Sequence, residues 1–573
     1  MDMKKQIFLV ASLVLLFSCS PEDNTHGGDT GTKNLIISAT IDDDTLSFKA
    51  GDEMGLFVTT PLGDKYGDIE SNIKAQYNTN WKTAMSGSLS GEPAKVYAYY
   101  PYTEKADLKA VPVVTDGKTP VLYGVQTEEE ISNANNSASL HMKHALSTIA
   151  FNFSKKNYYG AGRLEKIEVL NAEGKKVFAS RGMLDCTTGK ISPIPEDTAK
   201  VVKDCKLTVF SNEFTNILTG LREFPLIRSI PEGQPDENNI QYLRVLPMET
   251  LQSDGDIVFR ITIDGVVYSC PVKAGTTWKQ GETSFYTFTL EGEEINLDEM
   301  FNITWAEPGN SELSHNFDLV PFPEEAKPAI LHAMKIWAQC LDIKTPLNAV
   351  FGFAPLDGGR MAVSLVGSSY IGEDRNYRYP ETLINQIVRS DSDPFSSEIE
   401  IIFNSKTWFY FGLDGKYLTE RENEAITYFA ADFLSTTLHE MCHSFGITSF
   451  LFANTEEQIG TKAIPEPYDI SIFDSFMVDE NGKSLKDYPN RSNELYKAII
   501  SGKIVFAGPN AVKANNGKPV LLRTNNRGWD GSHLDGFNIM AAGEYHHPGT
   551  VILGMLQDIG WNVKPLPVLK EQN

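Results

Sequence analysis

Residues 438–450 read LHEMCHSFGITSF, and their spacing decides how the second half of the chain is built. Side chains four apart lie on one face of a helix, so His439 and His443 share a side, with Glu440 next to the first of them. Two imidazoles at that spacing can grip one metal ion, and a neighbouring carboxylate can serve it as a base. Phe433, Leu434 and Leu438 supply an apolar face, and Gly446 marks where the helix ends. The pattern predicts a helix from about Glu422 through His443. Cys442 points about 100° away from each adjacent position, as expected of a small buried apolar residue and not of a ligand.

A hydrolytic zinc site takes three protein ligands and leaves a position for water. The extended pattern H-E-x-x-H-x-x-G-x-x-H puts the third histidine where this chain has Ser449. Downstream, His533 stands in GSHLDGFNIM (531–540), and His546 and His547 stand in EYHHP (544–548). In the metzincin order the third histidine precedes a turn bearing a methionine. His533 followed by Met540 keeps that order, whereas His546 and His547 come after it.

The chain has 573 residues, more than one ordinary core holds, so two to four domains are expected. Hydrophobic residues make up 41% and charged residues 22%, as in soluble globular proteins. A net charge of −24 argues against nucleic acid, whose phosphates need a basic face. Apart from Cys19, the cysteines are Cys186, Cys205, Cys270, Cys340 and Cys442, too few for a disulfide framework. Cys186 with Cys205 is the one pair worth testing.

At the start, Lys4 and Lys5 precede an apolar run from Ile7 to Phe17, too short for a permanent membrane span. The LFSC that follows (16–19) resembles a bacterial lipoprotein signal, which implies a lipid on Cys19 and an anchor in the outer membrane. Glu22 and Asp23 resemble the surface-export signal of Bacteroidota lipoproteins, so exposure on the cell surface is expected. Residues 20–33 are polar and Gly-rich, as in a flexible tether.

From 34 to 306 short alternating runs are separated by turn residues, without a clear amphipathic helix. This predicts an all-β region, a β-sandwich or a pair of sandwiches. Residues 307–325 read as a linker rich in Pro, Gly and acids. Beyond it Ala329, Ile330, Ala333, Ile336, Trp337 and Cys340 recur at three and four, a helical stripe. Strands and helices then mix, so 326–566 is expected to be one α+β or α/β domain with an insertion at about 447–530, followed by a tail, 567–573.

The N-terminal region resembles the fimbrillin-like proteins of Bacteroidota, through VYAYYPY (96–102), MKHALSTIAFNF (142–153) and the closing FNITW (301–305). This resemblance implies two β-sandwich subdomains, 34–155 and 156–306. His144 lies in the second motif and His141 just ahead of it, and both are expected to be structural. The C-terminal region resembles leishmanolysin-type metallopeptidases, through HEMCHSFG (439–446), GSHLDGFNIM (531–540) and TVILGMLQDIGW (550–561). Supporting pieces are WFYFGLDG (408–415), Asp432 with Phe433, and FDSF (473–476) with its Asn481-Gly482 turn.

The second resemblance implies a metzincin-like domain in which His439, His443 and His533 hold one zinc ion. Glu440 is then the general base, Met540 the apolar floor, Tyr545 a transition-state donor and Asp535 a residue orienting a ligand. Strand 398–404 is expected to take an extended peptide by edge pairing. Together the resemblances imply a surface zinc endopeptidase acting on proteins or peptides. The fimbrillin-like module would then serve adhesion, towards fimbrial or host surface proteins, or act as an inhibitory prodomain. The alternative is an adhesive surface lipoprotein with an inactive peptidase-like domain.

Overall fold

The computed structural model describes residues 33–42, 46–196, 199–205, 207–209, 224–226, 230–236, 239–309, 317–371, 374–413, 418–420, 427–462, 470–525, 528–534, 540 and 546–572. Cys19, Asp535 and Tyr545, the signal segment and most of the tether lie outside these. Two compact units result. One holds residues up to 111 with 122–143 and 185–189, and the other holds 112–121, 144–184 and 190–573.

Seven strands of the first unit are hydrogen-bonded into one sheet. Their spatial order is Ile36–Ile41, Ser137–His144, Leu122–Gln126, Lys95–Tyr100, Glu53–Thr59, Ile73–Tyr77 and Trp81–Thr83. The two outermost strands approach each other, so the sheet rolls up where two separate layers were expected. Rolling shields both edges and wraps one core, in which Leu56, Val96, Ala98, Leu122 and Met142 are fully buried.

The second unit begins with the expected sandwich. One layer is Lys200–Asp204, Leu164–Asn171, Ile257–Ile263 and Val266–Pro271; the other is Gln241–Val245, Ser147–Lys156, Thr283–Glu291 and Val568–Gln572. Phe151 and Phe259 meet edge to face across the layers, with centroids 5.0 Å apart. Three boundaries differ from the sequence reading. Ser147–Lys156 is a central strand of this sandwich, so the division expected at 155 falls ahead of Ser147. Residues 568–572 are a strand antiparallel to Thr283–Glu291, with Leu569 in the core, and not a tail. Phe301–Trp305 runs parallel to Leu347–Ala354 and so belongs to the C-terminal sheet.

That sheet has the order Phe301–Trp305, Leu347–Ala354, Ile399–Asn404, Ala362–Leu365, the first three parallel and the last antiparallel. Ile399–Asn404 is buried along its whole length because neighbours cover both its edges and both its faces. It therefore has no edge to offer a peptide; the outer strand on its side of the sheet is Ala362–Leu365. The predicted stripe of helix Lys327–Cys340 is buried as expected, and Trp337 Nε1 donates to Leu438 O of the histidine helix at 3.3 Å. The histidine helix itself spans Phe433–Ser444, about eleven residues shorter at its start than predicted. Thr427–Phe429 is a strand, as its β-branched and aromatic residues favour, and Asp432 caps the helix. All five described cysteines are buried free thiols; Cys186 lies in the first unit and Cys205 in the second. No described helix is long and apolar enough to cross a membrane.

Candidate metal centre

Asp432 starts the histidine helix by accepting the Leu434 N–H at 3.2 Å, which satisfies one of the unpaired amides of the first turn. Leu434, Leu438, Met441 and Cys442 are fully buried on the inner side. That leaves His439 and His443 half-buried, facing a cleft of 680 Å³ that Glu440 and His533 also line. His533 comes from strand Gly528–Leu534, which is steadied where Leu534 N–H donates to Met540 O at 3.3 Å. Met540 is fully buried.

The three rings converge. His439 Nε2 lies 3.2 Å from His443 Nε2 and 3.0 Å from His533 Nε2. All three ligand atoms lie within 4.8 Å of one another. Nitrogens at zinc–nitrogen lengths of ~2.0–2.1 Å in tetrahedral directions are separated by roughly 3.3 Å. His443 Nδ1–H donates to Ile447 O at 2.7 Å, which leaves Nε2 as a bare lone pair aimed at the other rings. The donor set fits a single borderline-soft cation. Among the described residues this is the only group of three such ligands.

Ser449 also has a place here. Its backbone N–H donates to Ser532 Oγ at 2.9 Å, one residue before His533. The position of the third histidine in the short pattern thus braces the strand that carries His533. Gly446 makes the intervening turn with φ of +113°. Glu440 is 8% exposed, and burial pushes its carboxyl up to about 7, opposed by a hydrogen bond from the Ser364 backbone.

His546, His547 and His141 have partners away from this centre. Buried His546 pairs through Nε2 with the carboxylate of Asp432. His547 Nε2 lies 3.6 Å from Cys340 Sγ, its Nδ1 accepts the Gly549 N–H at 3.0 Å, and its ring stacks on Tyr158. Its imidazole is held below the usual range by burial. His141 sits in strand Ser137–His144 with Thr40 and Asp42 as neighbours. Sequence reasoning missed the outer strand Ala362–Leu365, whose Ala362, Val363 and Ser364 line the cleft. Its place at the edge of the sheet follows only from its pairing with Ile399–Asn404.

Residues 39–304, just under half of the chain, match a family model described as fimbrillin-like. Among solved structures, a Bacteroides uniformis protein assigned provisionally to cell adhesion is 15% identical; the match covers 45% of this chain and 93% of that one, with a TM-score of 0.31. A similarly assigned Bacteroides ovatus protein is 12% identical over 46% and 92%, with a TM-score of 0.31. A fimbrial protein from Bacteroides vulgatus is 14% identical over 45% and 94%, with a TM-score of 0.27. No curated protein matches the chain. The N-terminal region is therefore fimbrillin-like and mostly β, and the three histidines lie beyond its end.

Proposed function

We propose that this chain is a cell-surface protein of adhesion type whose C-terminal region is a zinc-dependent endopeptidase. One observation carries the enzymatic part: three Nε2 atoms from two separate elements converge beside a buried glutamate at the floor of a cleft. His439, His443 and His533 would hold the ion. When bound, zinc acidifies a water molecule and polarises a carbonyl. Glu440, one residue after the first ligand, accepts the proton of the attacking water and returns it to the leaving amine. The Ser364 N–H orients the Glu440 carboxylate. Strand Ala362–Leu365, without a backbone partner on its outer side among the described residues, aligns an extended peptide along the cleft. Its antiparallel place in a mostly parallel sheet supports a metzincin-like layout. Tyr545 as transition-state donor, the lipid on Cys19 and attachment to the outer membrane belong to the same proposal.

A second reading keeps the adhesive role and drops the catalysis. The family match favours it, because the fimbrillin-like model covers 39–304 and ends before the three histidines. Zinc content and casein cleavage, measured on the wild type and on Glu440→Ala, separate the two. Zinc binding without Glu440-dependent cleavage leaves the adhesive reading; cleavage that disappears with Glu440 supports the peptidase.

A further inference from the structure

We infer that the cleft recognises acidic peptides, with Arg360 and Arg523 as its specificity residues. The inference deepens the peptidase reading and takes its site from it. Apart from Glu440 and the three histidines, these arginines are the only ionisable side chains lining the cleft among the described residues. Arg360 stands in the segment leading into the outer strand Ala362–Leu365, and Arg523 in Val520–Asn525, the strand paired with the one that carries His533. They therefore come from two different walls. Both are exposed, and among the described residues neither guanidinium has a hydrogen bond or ion pair. Asp357, the acid nearest to Arg360 in sequence, is already held by Lys406 Nζ at 3.2 Å. A guanidinium without a partner offers a planar fork of donors that matches a carboxylate.

The chain as a whole pulls the other way, since it carries a net charge of −24. Screening decides between the two. At physiological ionic strength the Debye length is about 8 Å, so carboxylates spread over the outer surface contribute little inside the cleft. There the two arginines set the sign. Distant acids slow the approach of an acidic peptide, while the local pair selects it once it arrives.

The test uses full-length protein carrying Glu440→Gln, loaded with zinc, so that bound peptide is not consumed. Two fluorescein-labelled peptides are titrated by anisotropy, one with Asp and Glu flanking a central Ala-Leu pair, the other with Asn and Gln in the same places. The acidic peptide should bind about tenfold more tightly, with the advantage shrinking as salt rises. Arg360→Glu and Arg523→Glu should each weaken it about fivefold, with the neutral peptide unchanged. Equal binding of the two peptides, no binding of either, or an acidic preference that survives both substitutions overturns the inference. Casein digestion by the wild type tells the two failures apart. Cleavage sites with no acidic bias overturn this inference alone. Absent cleavage, with the acidic peptide still bound, overturns the peptidase reading and keeps the recognition.

Discussion

Asp432 and His546 meet in the interior, each 2% exposed or less, and their contact joins the start of the histidine helix to the segment that follows Met540. Asp432 does two things at once. One oxygen caps the helix through Leu434 N–H, and the other receives His546 Nε2. The pair therefore ties the element carrying His439 and His443 to the chain that follows His533 and Met540. Removing one member strands the other in a dry interior, at a cost of roughly 3–5 kcal/mol. His546→Ala should lower the thermal midpoint of the C-terminal region by about 10 °C. Asp432→Ala should lose about 1 kcal/mol more than Asp432→Asn, because asparagine keeps the cap. Calorimetry on the three variants checks this, and His546→Ala melting like the wild type would remove the clasp.

Ligand and anchor histidines should separate cleanly. His533→Ala removes one of three converging nitrogens, so bound zinc should fall from about one ion per chain to a small fraction after dialysis against a weak chelator. His547→Ala leaves the three rings in place and should keep its zinc, despite lost stability. Metal analysis of both purified proteins is sufficient. Zinc retained by His533→Ala but lost from His547→Ala would assign the third ligand wrongly.

How far the sequence went depends on the range of each interaction. The pairing of His439 with His443 follows from helical period alone, and Gly446 as a helix stop follows from the left-handed turn it makes. Motif order singles out His533, whose Nε2 lies 3.0 Å from that of His439. What local text lacks is the identity of sheet neighbours. Ile399–Asn404 alternates like an edge strand, yet it is the centre of a sheet whose outer strand is Ala362–Leu365. Likewise nothing in VLKEQ (568–572) announces that it adds to Thr283–Glu291, because that pairing spans nearly half the chain. The helix start was misplaced because residues 427–429 form a strand and only Asp432 provides a cap.

Gly446 should not tolerate a side chain. At φ +113° an added Cβ is strained by backbone alone, and it would sit 2.8 Å from both Ile559 Cδ1 and Pro380 Cγ. Left-handed strain and overpacking together cost about 2–4 kcal/mol. Gly446→Ala should therefore lower the thermal midpoint by several degrees and reduce zinc affinity, since Ile447 O orients His443 just beyond the turn. An unchanged melt would show that the turn adapts.

Asp474 predicts a pH dependence. It is fully buried, accepts Ser471 O–H at 2.7 Å and Phe450 N–H at 3.0 Å, and burial raises its carboxyl from 3.8 to about 6. The folded state thus holds this proton more tightly than the unfolded chain does. Its contribution is most favourable below about 4, and stability is lost as the pH rises towards 6. The full loss is roughly 3 kcal/mol. Asp474→Asn cannot ionise, so it should match the wild type in urea midpoint near pH 4.5 and exceed it at pH 7.5. A constant difference between the two proteins across that range would place the titration elsewhere.

Cutting the linker should not free the fimbrillin-like module. Two strands cross between the sandwich of the second unit and the C-terminal sheet: Phe301–Trp305 precedes the linker yet pairs with Leu347–Ala354, and Val568–Gln572 ends the chain yet pairs with Thr283–Glu291. Gln339 Nε2 adds a bond to Asn157 O at 2.8 Å, and Tyr158 stacks on His547. A prodomain that leaves after cleavage would have to break both ladders and expose Leu569 and Phe301, which are in the two cores. Limited proteolysis within 306–325 should give two fragments on a denaturing gel that elute together from a native sizing column. Their casein-cleaving rate should equal that of the intact chain, because no described residue of this sandwich lines the cleft. Separation of the fragments, with a rise in rate, would restore the inhibitory role and refute the crossed-strand argument.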